Sequence, residues 1–217
     1  MTRNAPAPSP WPELAPVGER LAPPLALGFA HPVFDSQAVF RAVMDALAQP
    51  GRLRPLAGLP GAPHPLTPEL AAVALALADH EAPLWLDAPL AATPEVADFL
   101  RFHTGAIVAD PADASFALIS DPACCPALDR FAPGTPEYPD RSATLVLAVR
   151  DLAQDGSLVL EGPGILGQAR LHAYPLPPDM TGRLMRNRAG FPRGVDHLLV
   201  APGWVAGLPR TTRVMEG

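Results

Sequence analysis

A chain of 217 residues is long enough for one domain that buries roughly 70% of its unfolded surface, so no disulfide framework is needed to hold it. Its net charge of −6 argues against a nucleic-acid-binding face, which requires clustered basic groups. All 16 of its Lys and Arg residues are arginine, which excludes a lysine Schiff base, hence ordinary pyridoxal-phosphate catalysis, and also a P-loop lysine.

Residues 1–28 are rich in proline and alanine, with Pro6, Pro8, Pro10, Pro12, Pro16, Pro23 and Pro24 denying the backbone helix hydrogen bonds. The expectation is a flexible leader followed by a single domain over residues 29–217. No apolar run suits a signal peptide or a membrane span, and a cytoplasmic protein is expected. The cysteines, Cys124 and Cys125, are neighbours that ordinary disulfide geometry does not bridge; they read as two small buried hydrophobes rather than a redox pair.

His31–Arg54 gives the first helix. Asp35 or Ser36 serves as its N-cap, and Phe40, Val43, Met44 and Leu47 recur at helical spacing as one apolar face, with Arg41 and Asp45 opposite. Gln49-Pro50-Gly51 ends it. A short strand at Leu53–Leu56 and a loop at Gly58–Pro65 follow. Thr67-Pro68-Glu69 starts a second helix, Leu70–Asp79, apolar almost all round and so expected to be buried. His80–Pro83 turns into the strand Leu84–Leu86. Thr93-Pro94-Glu95 repeats the helix-start pattern ahead of Val96–Phe102.

Ala106–Ala109 is a short apolar run, Ser115–Ser120 a strand, Pro122–Asp129 a weak helix and Pro133–Arg141 a polar loop. Ala143–Val149, ATLVLAV, is apolar on both faces, which predicts a central strand covered on both sides. Asp155-Gly156 predicts a tight turn into Ser157–Glu161, pairing the two strands as a hairpin. Asp179–Arg188 reads as a weak helix, and Asp196–Val200 with Val205–Leu208 as a final strand pair around Pro202-Gly203. Alternating helices and strands with a hairpin predict an α/β layered domain with a mixed β-sheet flanked by helices.

Four places carry candidate chemistry. Glu161–Gly167 contains a G-x-G-x-x-G after a strand, but Pro163 removes an amide and the following residues alternate like a strand, so it reads as a glycine-rich turn rather than a dinucleotide site. Arg101 and His103 either bind an oxyanion or complement the dipole at a helix end. The loops Phe191–Asp196 and Leu208–Thr212 either hold an anion, through Arg210 and the Thr211 and Thr212 hydroxyls, or are closed by hydrogen bonds between Asp196 and Arg210. Arg101, His103, Arg210 and Thr211 are the residues expected at a substrate. No metal-ligand spacing and no nucleophile elbow is present.

The segments Asp35–Gly51, LADHEAPLWL, LRFHT, ATLVLAV, EGPGI, GFPRGVD and LPRTT, in that order from about Phe34 to Val214, resemble the PhnH family of the carbon–phosphorus lyase system. The resemblance implies a fold like that of type I pyridoxal-phosphate-dependent transferases, without the cofactor or its lysine. It implies a homodimer when alone and a core complex with PhnG, PhnI and PhnJ. With PhnG, PhnI and PhnL, such a subunit is required to displace adenine from ATP by a phosphonate, giving a ribose 1-phosphonate 5-triphosphate; PhnJ then cleaves the carbon–phosphorus bond. No catalytic residue is carried over. An assembly or ligand-binding subunit is the reading that follows, with a purely structural scaffold, or a stand-alone transferase using His103, as alternatives.

Overall fold

The computed structural model describes residues 26–216; the leader expected over residues 1–28 lies almost entirely outside them. Two sheets organise the chain. The larger has the strand order β1-β8-β7-β4-β3-β2. Its strands are β1 (Arg54–Pro55), β2 (Leu84–Leu86), β3 (Phe116–Ile119), β4 (Thr144–Ala148), β7 (Asp196–Ala201) and β8 (Trp204–Leu208). Strands β2, β3, β4 and β7 run parallel, while β8 and β1 close one side antiparallel. The smaller sheet, order β6-β5-β9, is antiparallel and consists of β5 (Asp151–Glu161), β6 (Ala169–Tyr174) and β9 (Arg213–Glu216).

The ATLVLAV run lies in the middle of the larger sheet, as its two apolar faces require. Its alternate residues enter two separate cores. Val146, with Leu118, Leu198 and Val200, packs under the helices α1 (Pro32–Ala48), α2 (Pro68–Leu77) and α4 (Pro94–Thr104), through Val39, Val43, Leu70, Val73 and Phe99. Leu145 and Leu147, with Ile119 and Leu199, face Leu160 and Leu171 of the small sheet, Val214, Phe131, and Leu184 of α5 (Met180–Ala189). Each of these large apolar side chains contributes roughly 1.5–3 kcal/mol on burial.

Helix α2 starts as its sequence predicts, with Pro68 in the first turn and Thr67 Oγ1 accepting from the Leu70 amide, and its residues from Glu69 to Ala74 are all buried. Thr93 does not repeat that cap. Its hydroxyl donates to the Pro89 carbonyl, because a helical turn, α3 (Ala88–Ala91), occupies the approach to α4.

Helix α1 begins earlier than expected, with His31 as N-cap and Pro32 at its start; Asp35 accepts from the His31 amide from within the first turn. Its buried face is Val39, Val43 and Ala46, so the apolar stripe is rotated from the one read in the sequence. Phe40 and Met44 are each 48% exposed and Val33 is 64% exposed, forming an outward apolar line on this helix.

Two expectations fail for a shared reason. Asp155-Gly156 does not turn: β5 runs unbroken from Asp151 to Glu161 with an irregularity between Ala153 and Leu158, and it pairs with β6 and β9. Strand β4 already has parallel neighbours on both sides and has no edge left for a hairpin partner. Gly156 is required because a Cβ there would lie 2.2 Å from the His172 amide and the Leu171 carbonyl of β6. The β7–β8 pair forms as expected but is not final, since β9 follows it and completes the small sheet.

The glycine-rich stretch after β5 is the structural turn it was read to be, leading into β6. Gly164 lies against the end of α1, where a Cβ would come within 2.1 Å of the Ala48 carbonyl. Pro122–Asp129 holds two short 3-10 turns rather than a helix, and Ala106–Ala109 contributes a single bridge, Leu84 to Val108. Cys125 is buried but Cys124 is exposed, against the expectation that both are interior. No helix among the described residues is long and apolar enough to cross a membrane.

One histidine is fully enclosed. His197 on β7 has no exposed surface and neither ring nitrogen has a hydrogen-bond partner. Burial lowers its pKa from 6.5 to about 4, with Asp196 and the neighbouring Leu208 backbone, too poorly placed for an ordinary hydrogen bond, pulling it partly back. Between those values the unfolded chain binds a proton that the folded chain refuses, so stability falls as pH drops through that window. From pH 7 to pH 4 this contributes a loss of about 3 kcal/mol. His197→Leu is expected to remove that part of the acid limb, measured as a smaller difference in urea unfolding free energy between the two pH values.

Candidate functional site

The four residues expected to contact an anion lie in two separate places, and among the described residues no hydrogen bond or ion pair joins them. Arg101 and His103 are in the last turn of α4, where both complement the helix dipole. Arg101 is exposed and pairs with Asp98 on the same helix. His103 Nε2 lies 3.0 Å from the Ala26 carbonyl, which makes it the donor because a carbonyl only accepts. Its ring packs on Phe99 and Phe102 with centroids 4.6 and 5.0 Å away. His103 thereby fastens the incoming chain to α4.

Arg210 is held inside the fold. Its backbone amide and Nε donate to Asp196 Oδ1 at 2.7 and 3.1 Å, Nη2 donates to Asp196 Oδ2 and to Ser142 Oγ, and Nη1 donates to the Pro139 carbonyl. The paired side chains are 12% and 19% exposed. Every guanidinium nitrogen has an internal acceptor: this arginine closes the β7–β8 hairpin and captures the 139–142 loop, and an anion at Arg210 would have to displace one of these partners. Thr211 offers its carbonyl to Arg188 Nε at 3.2 Å, and the Thr212 hydroxyl is buried without a partner.

The C-terminal ends of parallel strands are the usual ligand side of an open α/β sheet. Here that side holds Asp87, just after β2. It is fully buried and accepts from the Leu90, Ser120 and Asp121 amides and the Ser120 hydroxyl. Burial raises its carboxyl above the ordinary range while those hydrogen bonds pull it down. With its oxygens occupied, Asp87 caps α3 and ties β2 to the end of β3. The thiols nearby are not activated. Burial pushes Cys125 up to about 11, and desolvation with the hydrogen bond to Asp121 raises Cys124, so both stay protonated near neutral pH.

A concave site of about 640 Å³ opens instead between α5, the 127–133 segment and the 190–195 loop. It is lined by Arg183, Arg186, Arg193, Asn187, Asp179 and Asp129 among others. The GFPRGVD loop shows how the sequence builds it. Asn187 on α5 donates Nδ2 to the Val195 carbonyl and accepts the Val195 amide at Oδ1, at 2.8 and 2.9 Å. The Arg193 amide donates to the Gly190 carbonyl, the Gly194 amide to the Pro133 carbonyl, and Asp196 clamps Arg210. The loop backbone is thus fixed at four points, and Arg193 is carried outward at its tip, exposed at the cleft.

On the other wall, Arg183 Nη1 donates to the Cys125 and Pro126 carbonyls at 3.1 and 2.8 Å, and Arg186 pairs with Asp179 at 2.9 Å. Chemically this arrangement offers planar guanidinium donors, the kind of group that suits an oxyanion, beside the carboxylates of Asp129 and Asp179. Arg183 and Arg186 are not singled out by the sequence analysis, which reads Asp179–Arg188 only as a weak helix with low apolar content. Their spacing of three, which places two arginines on one helix face, was the clue available.

The family described as bacterial phosphonate metabolism protein (PhnH) matches residues 27–215. The chain is 43% identical over 187 residues to the alpha-D-ribose 1-methylphosphonate 5-triphosphate synthase subunit PhnH of Rhizobium meliloti (strain 1021), covering 86% of this chain and 93% of that relative. It is 35% identical over 179 residues, 82% of this chain and 85% of the relative, to a protein of Stutzerimonas stutzeri named "Putative C-P lyase subunit protein HtxG".

The clamp at Arg210 predicts a stability effect. Arg210→Ala strands the Asp196 carboxylate and is expected to cost about 2 kcal/mol in urea unfolding, with Arg210→Lys recovering only part because an ammonium lacks the two-pronged geometry. Arg101→Ala, which breaks an exposed pair, is expected to shift stability by less than about 0.5 kcal/mol.

Proposed function

The chain belongs to the PhnH family of bacterial phosphonate metabolism proteins, and from that membership we propose that it is a subunit of an alpha-D-ribose 1-methylphosphonate 5-triphosphate synthase in the carbon–phosphorus lyase system. With PhnG, PhnI and PhnL it serves the transfer of the ribose 5-triphosphate part of ATP to a phosphonate. PhnJ joins the same core complex, and the free subunit is a homodimer in the cytoplasm. The observation that carries this reading is the 43% identity to a relative of that name over 93% of the relative's length.

Within that assembly the chain acts by assembly and by holding ligand, not by performing the chemistry alone. Several features support this. The chain has no lysine; both thiols are raised, and His197 is sealed in the core. His103, the acid–base residue of the stand-alone alternative, has its Nε2 engaged by a carbonyl. An arginine-lined cleft, by contrast, suits a substrate made of phosphoryl and phosphonyl groups. The same proposal includes the likeness to type I pyridoxal-phosphate transferases. Four parallel strands under helices suit that fold, and without lysine no cofactor is expected.

The test is adenine release from ATP in the presence of methylphosphonate. The purified chain alone is expected to release none, and addition of PhnG, PhnI and PhnL to restore release, with His103→Gln leaving the restored rate unchanged. Turnover by the isolated chain at an enzyme-like rate would overturn the proposal.

A further inference from the structure

The α5 cleft contains an anion of its own. Asp179 immediately precedes α5 with φ of 52°, the only non-glycine residue with positive φ among the described residues. That backbone is tolerated by Asp and Asn but is not a favoured N-cap geometry. The Asp179 side chain does not cap the helix. It reaches Arg186 instead, at 2.9 Å. Gly182 makes room for it, since a Cβ there would lie 2.3 Å from Asp179 Oδ1. Both partners of this ion pair are well over half exposed, so the pair is weak and exchangeable.

We propose that Arg183, Arg186 and Arg193 form an oxyanion subsite for a phosphoryl or phosphonyl group, and that the Asp179 carboxylate is its internal occupant, displaced when the ligand oxyanion arrives. This deepens the proposed function and rests on it only for which oxyanion is bound; the subsite itself stands on the geometry. Among the described residues no carboxylate forms an ion pair with Arg183 or Arg193. Arg183 is oriented by two carbonyls, and the backbone that carries Arg193 is held by the loop that Asn187 anchors, so one guanidinium and the base of a second are set before ligand binds. A doubly charged phosphonate outcompetes a single carboxylate at such a site because it offers three acceptor oxygens to planar donors. At about 640 Å³ the cleft exceeds one such group, so the oxyanion is one end of a larger occupant.

The experiment is calorimetric titration of the full chain with inorganic phosphate, methylphosphonate and ATP in separate arms. Arg186→Gln and Arg193→Gln, both at exposed positions, are expected to weaken binding about ten-fold or more. Asp179→Asn, which keeps the tolerated backbone, is expected to tighten it about three-fold or more. Gly182→Ala, which pushes the carboxylate off Arg186, is expected to act in the same direction as Asp179→Asn. Methylphosphonate binding lost in the arginine variants supports the phosphonate as occupant; ATP binding alone, lost in the same variants, supports the triphosphate tail. Binding indifferent to Arg186→Gln and Arg193→Gln, or absent in wild type and Asp179→Asn alike, overturns the subsite while leaving the subunit assignment intact. Binding that Asp179→Asn and Gly182→Ala do not tighten overturns the role of Asp179.

Discussion

Strand β4 has no polar face, and most of the architecture answers to that. A strand apolar on both sides must be covered twice, and its backbone must be paired at both edges. Parallel neighbours β3 and β7 satisfy the backbone, helices α1, α2 and α4 cover one face, and the small sheet with α5 covers the other. The arginine cleft is a by-product of the second covering. It opens where α5 and the loops before β4 and β7 meet at the margin of that layer.

This central constraint was legible in the sequence because it depends on composition over a short window. ATLVLAV announces burial, and Thr67-Pro68 announces a helix start, by local chemistry alone. Features that failed depend on what lies across the fold. Asp155-Gly156 has the residues of a two-residue hairpin turn, yet Gly156 serves a strand whose partner backbone passes too close for a side chain. Phe40 and Met44 keep helical spacing with Val43, but smaller residues, Val39 and Ala46, face the sheet because α1 crosses β8 at close range. Periodicity gives the existence of a stripe; the neighbour's distance decides which stripe is inside.

The lining of the cleft was legible only in part. GFPRGVD was read as a loop able either to hold an anion or to close on itself, and the structure divides those tasks along the motif. Asp196 takes the closing role with Arg210, Gly194 and Val195 accept the anchoring, and Arg193 is carried to the cleft. No spacing rule distinguishes an arginine that will be clamped by a partly buried carboxylate from one that will line an open cleft. That difference is set by a residue fourteen positions away for Arg210 and by a carbonyl-rich segment almost sixty positions away for Arg183.

The two cores lie on opposite sides of one sheet and share few side chains, an arrangement that invites independent melting. The contact of Gly164 with the Ala48 carbonyl works against it. This is main chain against main chain, with no side chain between to repack, so the loop of the small sheet and the end of α1 register against each other like the teeth of a key in a lock. Loosening on the helical side is thereby expected to reach the sheet beneath the cleft, a coupling that favours cooperative melting despite the divided interior.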